Sequence, residues 1–316
     1  MAEDLSTVTF WLALVASGAA TTLYWTHLLG LRVVMRRLAT DAGEGPVLTT
    51  LERPDTASGP ADSFGRLGTL ATYAVLALLA VSLAARWQAV GHAPWSNMYE
   101  FTVAFAAGIT MFYLIFERIY LRADGPPDEG DRFRSGRMLG AMALPVVLAM
   151  LLVTAAFFAS DVHPLVPALQ NSNLLAIHVA TMILAYGALS GSFGAAVLYL
   201  VQGGKRNRFA RLPKAQLLDE IGYRSVILGF PLLALGIALG AYWANHAWGR
   251  YWGWDPKETS ALATLLIYGV YLHMRGLRNW SGTRSAVVLV VGFGAVMFTY
   301  FAVNLWVSGL HSYAGV

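Results

Sequence analysis

Eight apolar runs dominate this chain, each close to the roughly 20 residues that a helix needs to cross the hydrocarbon of a bilayer. They fall near 7–30, 67–90, 98–116, 138–160, 174–202, 221–243, 259–275 and 285–307. Hydrocarbon offers no water to hydrogen-bond, so a segment buried there must satisfy its own backbone, and helices are expected. Hydrophobic residues make up 57% of the 316 and charged residues 13%, where a soluble domain carries about 25% charged. The expectation is an all-α, polytopic integral membrane protein of about eight transmembrane helices, forming a single membrane domain over 1–316.

The charged residues are distributed with a bias. Of the 22 lysines and arginines, 18 lie in 31–66, 117–137, 203–220 and 274–284. The stretches 91–97 and 161–173 and the C-terminal tail hold none, and 244–258 holds only Arg250 and Lys257. Positively charged loops stay cytoplasmic, so both termini are expected outside. The net charge of +4 thus reflects membrane orientation, and no nucleic acid partner is expected. Glu3 and Asp4 occupy the place of a basic leader region, and the first run is long enough to span, so no cleavable signal is expected. Stretches 41–62 and 124–136, rich in Gly, Pro and Asp, read as linkers. With no cysteine in the chain, disulfides, thiolate metal sites and a cysteine nucleophile are excluded. Gly187, Gly191 and Gly194 suit close helix packing.

The outward segments are aromatic and rich in histidine, so chemistry is expected on that face. Its most distinctive part is the loop 244–258, where Trp248, Tyr251, Trp252 and Trp254 are interleaved with Gly249 and Gly253. Tryptophan and tyrosine gather at membrane interfaces, but a belt scatters them one or two per span end. Glycines between them allow sharp turns, which would let the indoles present flat faces to one flat ligand. Composition leaves both readings open.

The sequence Trp-Gly-x-x-Trp-x-Trp-Asp-Pro-Lys-Glu over 248–258 resembles the WWD signature of haem-handling proteins of cytochrome c maturation. Three further stretches resemble motifs of the same proteins: Pro94-x-Ser96-Asn97-Met98-Tyr99-Glu100, Leu165–Leu169, and Ile177-His178-Val179. The resemblance, from about residue 90 onward, is to the CcsA/ResC subunit of the two-component (System II) cytochrome c synthase, called CcsB in actinobacteria. A core assembly region over 67–316 is expected. Ser260, where the family has an aromatic, and Leu174, where it often has Trp, depart from the pattern.

That resemblance gives the histidines roles. It implies haem b, as bound substrate, ligated through iron by His178 and His311, which flank the WWD segment, with Trp248, Trp252, Trp254 and Asp255 around it. Without it, His178 reads as a hydrogen bonder at a span end and His311 as a tail residue. A second, deeper histidine, His273, is implied to hold haem on its way from the cytoplasmic side, its partner coming from a ResB-like membrane subunit. His27 reaches a similar depth and reads either as a local partner for His273 or as an interfacial histidine. His92, His163 and His246 read as hydrogen bonders, His92 being the best ligand candidate among them. Arg250 reads as a contact for a haem propionate or as a surface charge. Asp255 reads as an anion at the start of the seventh span, as a group acting on haem, or as both.

The implied reaction joins the haem vinyl groups to the thiols of a Cys-x-x-Cys-His segment in an apocytochrome c, whose thiols a thioredoxin-like reductant keeps reduced. The implied location is the bacterial plasma membrane, within its lipid, with the functional face extracytoplasmic. A haem exporter or chaperone without catalysis needs the same ligands. A b-type electron-transfer cytochrome would instead pair histidines across helices at mid-membrane depth.

Overall fold

The computed structural model describes residues 1–41, 60–121, 130–161, 173–209, 212–278 and 280–311. Its long elements are helices: α1 (Ala2–Asp41), α2 (Pro60–Val90), α3 (Met98–Leu121), α4 (Gly130–Phe157), α5 (Asn173–Val201), α6 (Ala215–Trp248), α7 (Pro256–Arg278) and α8 (Thr283–Met297). Helix α8 continues through a π-turn, Phe298–Ala302, into a last turn, Val303–Leu305. No strand occurs among the described residues. The expected linkers prove shorter where α2 starts at Pro60 and α4 at Gly130, and the rest of them, with His163 and Leu165–Leu169, lies outside the described residues.

Seven of these helices are long and apolar enough to cross a membrane, so the chain is a multi-pass membrane protein. The exception is α7. Its 23 residues would reach about 35 Å at 1.5 Å per residue. Its first turns, however, carry Lys257, Glu258, Thr259 and Ser260, and its last carry His273, Arg275 and Arg278. The apolar middle left between them is short.

Helix α1 packs along α2 and against α4, α3 bridges to α4 and α5, α5 lies along α6 and against α8, and α7 sits on α8 and α6. Small residues permit the tight crossings: a Cβ at Gly187 of α5 would lie 2.9 Å from the Gly108 carbonyl oxygen of α3. Buried charges between α2 and α3 are paired. Arg86 of α2 meets Glu100 of α3 at 2.9 Å, and Glu100 also accepts hydrogen bonds from the Ser96 backbone and hydroxyl. Asn97 accepts from the Glu100 N–H at 2.9 Å and caps α3. The Pro94–Glu100 motif thus builds a helix start with a buried ion pair.

Candidate functional site

Helix α6 runs further than the apolar pattern suggests, to Trp248, so residues 244–248 of the expected loop are helical. It stops at Gly249, whose φ of 72° is left-handed and whose N–H closes on the Asn245 carbonyl. Glycine takes that conformation without steric cost. The loop proper is seven residues, Gly249–Asp255, and the next helix fixes its shape. Asp255 precedes Pro256, the first residue of α7, a position suited to a residue without an N–H. The Asp255 carboxylate accepts from the Lys257 N–H at 3.1 Å. Glu258 reaches back to accept from the N–H groups of Asp255 at 3.1 Å and Gly253 at 2.8 Å. Asp-Pro-Lys-Glu is therefore a capping box that also ties down the tryptophan loop.

Asp255 does more than cap. It is 5% exposed. One of its oxygens, Oδ2, also accepts from His311 Nδ1 at 2.8 Å, and Oδ1 accepts from the Leu310 N–H at 2.6 Å. An ionised carboxylate only accepts, so Nδ1 of His311 carries the proton and Nε2 the lone pair. Burial alone would raise the Asp255 carboxyl, but the His311 N–H and the backbone N–H groups of Leu310 and Lys257 prevail and hold it below the usual range. Burial also pushes His311 below the ordinary histidine value, against the opposing pull of Asp255. Burial thereby favours the neutral imidazole at His311.

His178, on the second turn of α5, is arranged alike. Its Nδ1 lies 2.7 Å from the carbonyl oxygen of Gly236 on α6. A carbonyl cannot donate, so here too Nδ1 holds the proton and Nε2 the lone pair. The ring lies against Gly240, where a Cβ would stand 2.6 Å from His178 Cε1.

Both histidines line one cleft between α3, α5, α6, α7 and the end of α8, with about 1040 Å³ of space when its opening to solvent is included. Its walls are mainly aromatic and aliphatic, including Trp95, Phe101, Tyr186, Trp243 and Trp252. Two neutral imidazoles, lone pairs on Nε2, in a mostly apolar cleft are a donor set suited to a flat metal macrocycle.

The other expected site residues divide. Trp252 lines the cavity. Trp248 backs His311, edge-on with ring centres 5.1 Å apart. Trp254 is 70% exposed and stands edge-on to Trp252. Its φ of 56° is a left-handed conformation that side chains of this size avoid. Arg250 is exposed and is not among the residues lining the cavity. Its guanidinium lies over Gly253, where a Cβ would meet Arg250 Nε at 2.8 Å. His92 contacts the Ala93 carbonyl at 3.0 Å and His246 that of Tyr242 at 3.0 Å; neither lines the cavity.

His273 is exposed near the far end of α7, about 20 Å along the helix from the cavity. His27 is 2% exposed in α1, beside Gly65 and the Arg137 stem, within the α1, α2 and α4 packing. The structure does not bring these two together. The motifs gave Lys257 no site role and do not point to Gly240, Trp95 or Trp243. Gly240 and Trp243 lie eight and five residues before Trp248 on α6, and Trp95 lies three after His92 in the loop before α3; that nearness is the signal that could have suggested them.

A polytopic helical membrane protein with a histidine-lined aromatic cavity at one end of its bundle is the class these features define. Residues 69–311 match the family described as "Cytochrome C assembly protein", and the chain belongs to that family. It is 38% identical over 243 residues to "Cytochrome c biogenesis protein CcsA" of Chlamydomonas reinhardtii, covering 75% of this chain and 65% of that protein. This chain thus spans slightly less than two thirds of the algal relative. It is 35% identical over 285 residues to the protein of that name from Synechococcus elongatus, covering 74% and 83%. With the one from Guillardia theta it shares 38% over 259 residues, covering 74% and 81%.

Proposed function

We propose that the cavity binds haem b as substrate, ligated by Nε2 of His178 and of His311, and that the chain delivers it for attachment to apocytochrome c. The observation that carries this reading is the convergence of two histidines on one aromatic cleft, each with Nδ1 turned to an acceptor. Iron ligands are commonly oriented in this way by a second hydrogen bond. Trp252 walls the macrocycle, Trp248 fixes the His311 ring, and Asp255 fixes its tautomer.

In the attachment step a thiol of the Cys-x-x-Cys-His segment adds across a haem vinyl group. Sulfur bonds to the carbon next to the ring, and the proton goes to the terminal carbon. Both thiols come from the apocytochrome. This chain supplies position and shelter from water rather than a nucleophile. The basic-loop bias supports an extracytoplasmic cavity and outward termini in a plasma membrane. The exposure of His273 on α7 suits a ligand shared with a second membrane subunit of ResB type, holding haem before it reaches the cavity.

The test is to purify the chain with that subunit and record its spectrum. A low-spin ferrous haem band is expected, and it should vanish with alanine at both His178 and His311. An unchanged spectrum in the double variant would refute the ligand assignment. Thioether formation on added apocytochrome separates a synthase from an exporter that only binds.

A further inference from the structure

We infer that the ammonium of Lys257 seats one propionate carboxylate of the bound porphyrin, an assignment that rests on the haem reading of the same cavity. Lys257 lines the cavity together with His178 and His311. Its Nζ lies 2.7 Å from Asn304 Oδ1 and 5.8 Å from the centre of the Phe101 ring. Asn304 is itself oriented, because its Nδ2 donates to the Tyr300 carbonyl at 2.7 Å. That leaves its oxygen to face the lysine.

An ammonium has three donors. Asn304 takes one, and its neutral dipole does not cancel the charge. The neighbouring carboxylates are engaged elsewhere. Asp255 serves His311 and the N–H groups of Leu310 and Lys257, and Glu258 serves those of Gly253 and Asp255. Among the described residues Lys257 makes no ion pair. A cation held in a largely apolar cleft costs free energy unless an anion joins it.

Lys257 is the cation lining the cavity, and Glu258, which also lines it, turns its Oε2 to the Gly253 and Asp255 N–H groups rather than to the ammonium. Haem carries two carboxylates on one edge. One of them would meet the lysine. Arg250, lying over Gly253, takes no part inside.

The test compares ferric haem b with its dimethyl ester, which keeps the macrocycle and iron but removes both charges. Each is titrated by absorbance into the full chain co-purified with its partner subunit. Wild type should prefer haem by about tenfold or more, the equivalent of roughly 1.4 kcal/mol. Lys257→Gln should bind both porphyrins as wild type binds the ester, with the low-spin band intact, and Lys257→Arg should retain the preference. Equal affinities in wild type, a measurement that needs no variant, would overturn the assignment while leaving the haem reading standing. So would an undiminished preference in Lys257→Gln. No low-spin band with either porphyrin would overturn the haem reading and this inference together.

Discussion

Replacing Gly240 with alanine adds one methyl group directly against the His178 ring. The new carbon would lie 2.6 Å from Cε1, 3.0 Å from Nδ1 and 3.2 Å from Nε2. Ordinary contacts between carbons fall at about 3.5–4.0 Å, so the ring must retreat by about 1 Å. Retreat strains the 2.7 Å hydrogen bond to the Gly236 carbonyl and moves Nε2 away from its place. For the fold the change is modest. Alanine favours the helix by about 0.5–1 kcal/mol over glycine, against roughly 1–3 kcal/mol for overpacking. Net destabilisation should therefore be about 2.5 kcal/mol at most. For ligation it is severe, because a 1 Å misplacement can cost about 100-fold. The assay is haem content and the low-spin band of the purified complex, read beside its thermal unfolding. Gly194→Ala is the control, since its Cβ would find only Met142 Cβ, at 3.9 Å. If Gly240→Ala kept wild-type haem affinity within about threefold, the view of His178 as a ligand held by its packing would be refuted.

Asp255→Asn should weaken haem binding by about 10–100-fold, as loss of a ligand-orienting partner does, measured by absorbance titration. Thermal unfolding of the same variant should change much less, since asparagine caps a helix about as well as aspartate. The pH dependence has a definite sign. His311 is depressed by burial, so its neutral, ligating form is complete above the ordinary value of about 6.5 and is lost only as pH falls through the lower folded value. Haem titrations at descending pH should thus show affinity flat through pH 6.5 and then falling; a decline beginning above 6.5 would contradict the burial argument. Glu100→Gln leaves Arg86 buried without its counter-charge and should destabilise the chain by about 3–5 kcal/mol, read as a lower unfolding temperature in detergent.

The parts legible in the sequence were those set by period and composition. Apolar run length located the helices, and the density of tryptophan around Gly249 and Gly253 located the cavity's rim. His178 and His311 line one cleft. Less legible were features set by register between helices. Nothing local in the sequence says that Gly240 of α6 faces His178 of α5, because that depends on how two helices slide past each other. Trp254 belongs to the same motif as Trp252 yet turns outward, because a left-handed backbone at that residue redirects it. The loop was expected from residue 244 but starts at 249. The helix ends where glycine can adopt positive φ, and the apolar run had faded earlier. The α7 middle was read as a full span because its length sufficed, while the polar residues at both ends shorten what lipid would accept.

The π-turn at Phe298–Ala302 gives α8 one residue more per turn than an α-helix accommodates. Everything beyond it is rotated by roughly 100° relative to an uninterrupted helix. Asn304, the residue that holds Lys257, lies just past that offset, while Thr299 and Tyr300, which also line the cavity, lie within it. The cleft's fifth wall is therefore specified by a count of residues as much as by their identity. Closing the bulge by removing one residue would keep every side chain chemistry in the segment and still swing the amide off the lysine. Chain length is the conserved quantity to look for there when relatives are compared.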